Sequence, residues 1–160
     1  MSKIITFEGI DGSGKTTLIK ALYHHFAAQG KTVWATSEPW SISEIDSDPF
    51  VATLQLVMDR RHHCNVLKST KYDIAFSTEA YQSFGDGIEW ALAIRLNEAA
   101  TEGVTVNLRI WLDLPVDRAV ERIKERGDTV TDADEARLKR VRDGYAMMQP
   151  WRRLLRLDAT

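Results

Sequence analysis

The stretch GIDGSGKTT, from Gly9 to Thr17, lies between an apolar run and a segment with helical spacing. Its pattern, G-x-x-x-x-G-K-[ST], suits the holding of phosphate groups. Backbone N–H groups turned inward cradle phosphate oxygens, and glycine allows the unusual dihedral angles and the close approach. A helix that starts where the loop ends adds its positive N-terminus. Gly9, Ile10, Asp11, Gly12, Ser13, Gly14, Lys15, Thr16 and Thr17 are therefore candidates to bind a nucleoside triphosphate. Lys15 would reach the β and γ phosphates, and the Thr16 hydroxyl would ligate Mg²⁺. A nucleoside triphosphate with Mg²⁺ is the expected ligand of such a loop.

Such a loop needs rigid elements on both sides. Residues 3–9, KIITFEG, read as a buried strand, and residues 16–30 as a helix with Leu18, Ala21, Leu22 and Phe26 on one face and Gly30 as its stop. Further strands are predicted at 31–39, 72–77, 108–115 and 153–159. Helices are predicted at 48–69, 87–103, 116–127 and 132–148, the first started by Asp48 and Pro49. Strands alternating with helices predict an α/β fold with a five-stranded parallel sheet and helices on both faces.

The chain has 160 residues, 44% of them hydrophobic, which suits one domain over 1–160. Its net charge of −2 gives no basic field to hold nucleic acid. No apolar run approaches a membrane span, and MSKIITF lacks the pattern of a cleaved leader. Cys64 is the single cysteine, so no internal disulfide forms, and a reducing cytoplasmic setting is expected.

No N-K-x-D guanine-reading motif accompanies the loop, whereas several arginines lie late in the chain. That combination suits a small-molecule kinase, which aligns two anionic partners and neutralises charge. Five stretches resemble the thymidylate kinase family of bacterial or phage type. They are FEGIDGSGKTT with its internal Asp11, TSEP at 36–39, MDRRHH at 58–63, STEAYQ at 77–82, and RIWLDLPVDRAVERIKERG with RVRDGY. The resemblance implies a P-loop NTPase three-layer fold with a small lid at about 126–137. It also implies ATP-dependent conversion of dTMP to dTDP, and a homodimer. Asp11 would bond the acceptor's 3′-hydroxyl and help hold the magnesium site. Glu38 and Arg60 would face the acceptor, Thr78 the thymine edge, Tyr81 the sugar's 2′ position, and Gln82 the same pocket. Arg126 would stack over adenine, and Arg122 would reach donor phosphates. Lys15, Asp11 and Arg126 would carry catalysis.

The chain also departs from the family pattern. The D-R pair that precedes S-T-x-A-Y-Q is absent, Ser37 replaces an arginine, Trp40 a glycine, and Leu56 an aromatic residue. An acceptor phosphate needs an arginine there, so unseen residues are expected between Ser77 and Thr78. Asp113 is expected to be structural. His24, His25, His62 and His63 are read as surface or helix residues, with His63 a possible wall of the acceptor pocket, and Cys64 as a packed thiol. Two alternatives stay open. One is a kinase for another or modified deoxynucleotide or a deoxynucleoside; the other is a nucleotide-binding protein without catalysis.

Overall fold

The computed structural model describes residues 2–78, 88–152 and 154–160; the side chains of Trp90, Pro150, Trp151 and Arg152 are not described. Tyr81 and Gln82 lie outside the described residues.

Ten elements follow in the order β1 (Lys3–Glu8), α1 (Lys15–Ala28), β2 (Val33–Ala35), α2 (Pro49–Ser69), β3 (Ile74–Thr78), α3 (Trp90–Ala100), β4 (Leu108–Asp113), α4 (Val116–Glu125), α5 (Asp132–Arg152) and β5 (Leu155–Asp158). The strands form one sheet in the order β2-β3-β1-β4-β5, every neighbouring pair parallel. β1 lies at the centre and is buried on both faces, with Ile5 and Phe7 on one and Ile4, Thr6 and Glu8 on the other. Alternation then sorts the core. Phe7, Phe76, Ile110 and Leu112 face α1, which contributes Ile19, Leu18, Leu22 and Phe26. On the opposite face Ile4 and Ala75 pack with Leu67 of α2, while Trp111 packs with residues of α4 and α5.

The chain leaves β1 towards β2 but leaves β3 towards β4, on opposite sides of the central strand. Loops that diverge in this way open a crevice at the carboxyl ends of the strands. The loop after β1, the residues after β2 and Thr78 at the end of β3 all stand at that edge.

Several predicted bounds need correction. β2 is three residues long rather than nine, because its pairing with β3 ends at Ala35↔Phe76 and residues 36–41 turn to bond α2 and β3. β3 runs without a break through Ser77 and Thr78, in register with Thr6 and Phe7 of β1. The expected gap between those two residues is therefore wrong. α5 extends to Arg152, past the predicted end at 148.

Candidate active site

The loop between β1 and α1 has the backbone its glycines permit. Gly9, Gly12 and Gly14 have φ of 140°, 80° and 91°. A Cβ on Gly12 would lie 2.9 Å from the Ala119 carbonyl of α4, so glycine lets the loop lie directly against that helix. The Lys15 ammonium donates to the carbonyl oxygens of Gly9 at 2.7 Å and Ile10 at 3.0 Å, folding back over the loop. Burial lowers its pKa; Asp11 and Glu8 oppose that shift and Arg126 adds to it. Ser13 Oγ is buried there with no hydrogen-bond partner among the described residues, and it would lie 2.7 Å from a Cβ on Gly9, a close approach that glycine permits.

A cleft of about 780 Å³ opens over this loop and is lined also by Arg122, Arg126, Leu112 and Ala159. α4 is strongly amphipathic, burying Ala119, Val120 and Ile123 and turning its arginines outward. Arg122 donates to the carbonyl oxygens of Gly12 at 3.4 Å and Ala159 at 3.0 Å, which ties the loop to the end of the chain. Arg126, 58% exposed, stands 3.6 Å from Asp128. Gly9 to Thr17, Arg122 and Arg126 thus belong to one region, with Asp11, Lys15 and Thr16 on the cleft wall. Among the described residues no group of three His, Cys, Asp or Glu could hold a metal by itself. Thr16, the residue expected from the sequence to ligate Mg²⁺, lies on the cleft wall, and Mg²⁺ is commonly bound through one or two protein groups plus substrate phosphates.

The second half of the site starts from an anomaly in α2. Asp48 caps this helix by accepting from the N–H groups of Phe50 and Val51, with Pro49 in the first turn. Its buried stripe should be apolar, yet it includes Asp59, Arg60 and His63. Buried charges persist where they are paired. Arg60 Nε donates to Glu38 Oε2 at 2.6 Å, and a second guanidinium nitrogen stands 2.6 Å from the same oxygen. Another Arg60 nitrogen donates to Asn97 of α3. His63 Nδ1 stands 3.3 Å from Glu38 Oε1, and its Nε2 3.0 Å from Thr36 Oγ1. The Glu38 N–H donates to Thr78 Oγ1 at 3.2 Å. Burial pushes the Glu38 carboxyl up, but the Arg60 charge and the bonds from His63 and Arg60 outweigh it and hold the carboxyl below its usual value. Asp59 accepts from the N–H of Trp40 and from the N–H and hydroxyl of Ser41, fixing the turn after Pro39.

Three sequence candidates, Glu38, Arg60 and Thr78, therefore meet at the carboxyl ends of β2 and β3. Arg60 lies in no solvated helix face, and His63 is no surface residue: it is wholly buried. Asp113 accepts from Arg142 and from Arg156, each at 2.8 Å, and is structural as expected. Asn97 and Asp59 were missed. The polar members of the α2 stripe were a readable signal for Asp59; Asn97, alone on α3, offered none.

The strand order, the glycine loop and its lysine define a P-loop nucleotide-binding domain of the kinase type. A family model described as thymidylate kinase matches residues 7–44. The thymidylate kinase of Sulfurihydrogenibium sp. is 34% identical over 167 residues, covering 91% of this chain and 82% of the relative. The probable thymidylate kinase of Sulfolobus acidocaldarius is 37% identical, covering 89% and 80%. That of Acinetobacter baylyi is 30% identical, covering 98% and 90%. The chain belongs to the thymidylate kinase family. The match to the Acinetobacter protein runs over 186 positions while this chain has 160 residues, so the relative carries internal residues that this chain lacks.

Proposed function

We propose that the protein transfers the γ-phosphoryl group of ATP to the 5′-phosphate of dTMP, giving dTDP and ADP. The observation that carries this reading is a phosphate-binding loop and a separate buried polar cluster on two sides of one crevice, in a chain of this family. An acceptor phosphate oxygen attacks phosphorus, the bond to the β-γ bridging oxygen breaks, and the negative charge leaves with ADP. The attacking oxygen is already anionic at neutral pH, so no strong general base is required. Catalysis is then alignment and charge stabilisation. Lys15 exchanges its two carbonyl partners for phosphate oxygens, and the N–H groups of the loop hold the donor. Arg126 covers the adenine and Arg122 steadies the loop. Mg²⁺ supplies further neutralisation of the phosphates beside Thr16. On the acceptor side Asp11 takes the 3′-hydroxyl, Thr78 the base, and the Glu38–Arg60 pair the neighbouring polar edge.

A second reading follows from the same pair. Glu38 neutralises Arg60, and the chain has no D-R before STEAYQ, so the cluster suits an uncharged deoxynucleoside better than a bare cation would. Assay of ADP release with ATP and either dTMP or thymidine separates the two.

Residues 126–137 form the lid in this reading, a short turn closed by a reciprocal cap in which Thr131 and Asp134 exchange bonds at the start of α5. The protein acts in the cytoplasm as a homodimer. Phe50, Val51, Leu54 and Met58 leave an apolar stripe exposed along α2, with Leu92 of α3 also exposed. α2 and α3 pack together, and exposed apolar side chains on neighbouring helices support that reading.

A further inference from the structure

We propose that His63 is a positioning residue for the acceptor, acting through Glu38 on Arg60; this rests on the kinase reading above. His63 is 0% exposed, on the side of α2 that carries Arg60 one turn earlier. A buried imidazole with polar atoms on both nitrogens is more specified than packing requires. If Nδ1–H donates to Glu38, Nε2 accepts from the Thr36 hydroxyl, and the network sets that tautomer. Each Glu38 oxygen is then committed, Oε1 to His63 and Oε2 to Arg60. The carboxylate cannot rotate without breaking both contacts, so its plane, and with it the guanidinium fork, is fixed.

The imidazole is itself held. The Trp40 indole lies parallel to it, 4.9 Å between ring centres at 9°. Trp34 stands nearly perpendicular to both, at 5.7 Å from Trp40 and 6.2 Å from His63. Those separations place Trp34 beside the stack rather than on top of it. The ring is thus bounded on one face by Trp40 and along one edge by Trp34. Asp59 completes the arrangement by fixing the Trp40 backbone. A rigid support of this kind keeps a binding group within the tolerance that catalysis needs.

Three variants test the chain of contacts. His63→Asn places an amide N–H near the Nδ1 position and keeps the bond to Glu38. His63→Gln reaches the Nε2 position and keeps only the contact to Thr36. His63→Leu removes both. KM for dTMP is expected to rise tenfold or more in His63→Leu and His63→Gln, with KM for ATP within threefold of wild type, and His63→Asn is expected to recover dTMP KM to within threefold. A role in packing alone would make His63→Asn no better than His63→Gln, or would shift both substrates equally, and either outcome overturns the proposal. If His63→Leu does not fold, the Asn and Gln pair decides. Wild-type turnover of dTMP together with unchanged variants sinks this proposal alone, whereas a wild type without dTMP turnover sinks the kinase reading and this proposal with it.

Discussion

Lys15 is the residue on which the proposed chemistry turns. Its ammonium lies against two loop carbonyls, at 2.7 and 3.0 Å, in a position from which a triphosphate would draw it. Lys15→Ala should leave a folded protein and raise the barrier by about 2.7–4 kcal/mol, as removal of other preorganised electrostatic donors does. Steady-state turnover beside a circular dichroism spectrum checks it; a folded variant with wild-type turnover would contradict it. The same residue shows what a sequence can disclose. Gly9 to Thr17 act as a contiguous unit, so type and spacing alone reveal them. Glu38, Arg60 and Asn97 come from three segments, and nothing local in the sequence records that Arg60 bonds the other two. His63 lies in a helix as expected, but its full burial and its partners Glu38 and Thr36 are not legible from a His-rich run on a charged helix.

At the scale of elements, α2 carries the buried polar cluster proposed to meet the acceptor, and its start is the most legible feature after the loop. Asp48 followed by Pro49 is a start signal, and the Asp48 carboxylate accepts from two first-turn N–H groups, at 2.9 and 3.0 Å. Asp48→Ala should cost about 1 kcal/mol of unfolding free energy, read from urea denaturation, with KM for ATP unchanged. A loss below the precision of the denaturation curves would show that the cap is idle. The alternation of strands with helices and the apolar face of α1 were legible because periodicity and burial obey the same geometry, whereas the strand order came only with the structure. The end of β2 was not legible either. Residues 36–39 read as the last part of a strand closed by Pro39, but Thr78 of β3 takes the N–H of Glu38 with its side chain and Asp59 of α2 takes those of Trp40 and Ser41, and these tertiary bonds end the strand early.

For the molecule as a whole, two expectations concern assembly and acid stability. Met58→Lys, on the α2 stripe, should shift the protein from dimer to monomer in sedimentation velocity; a dimer of unchanged strength would place the interface elsewhere. Glu38 and Asp59 both have folded pKa values held below the usual carboxylate range. Their contribution is therefore complete above the unfolded values of about 4.3 and 3.9 and is lost as pH falls through the lower folded values. Glu38→Gln should flatten the acid limb of thermal stability relative to wild type; matching limbs would show that the buried pair does not govern it. The central claim is a kinase whose donor side is intact and whose acceptor side is assembled from Glu38, Arg60, Asn97 and Thr78. Chromatographic identification of the product formed from ATP with either dTMP or thymidine tests it most directly. The account predicts dTDP from dTMP and no product from thymidine, while dTMP from thymidine, or no transfer to either acceptor, would contradict it.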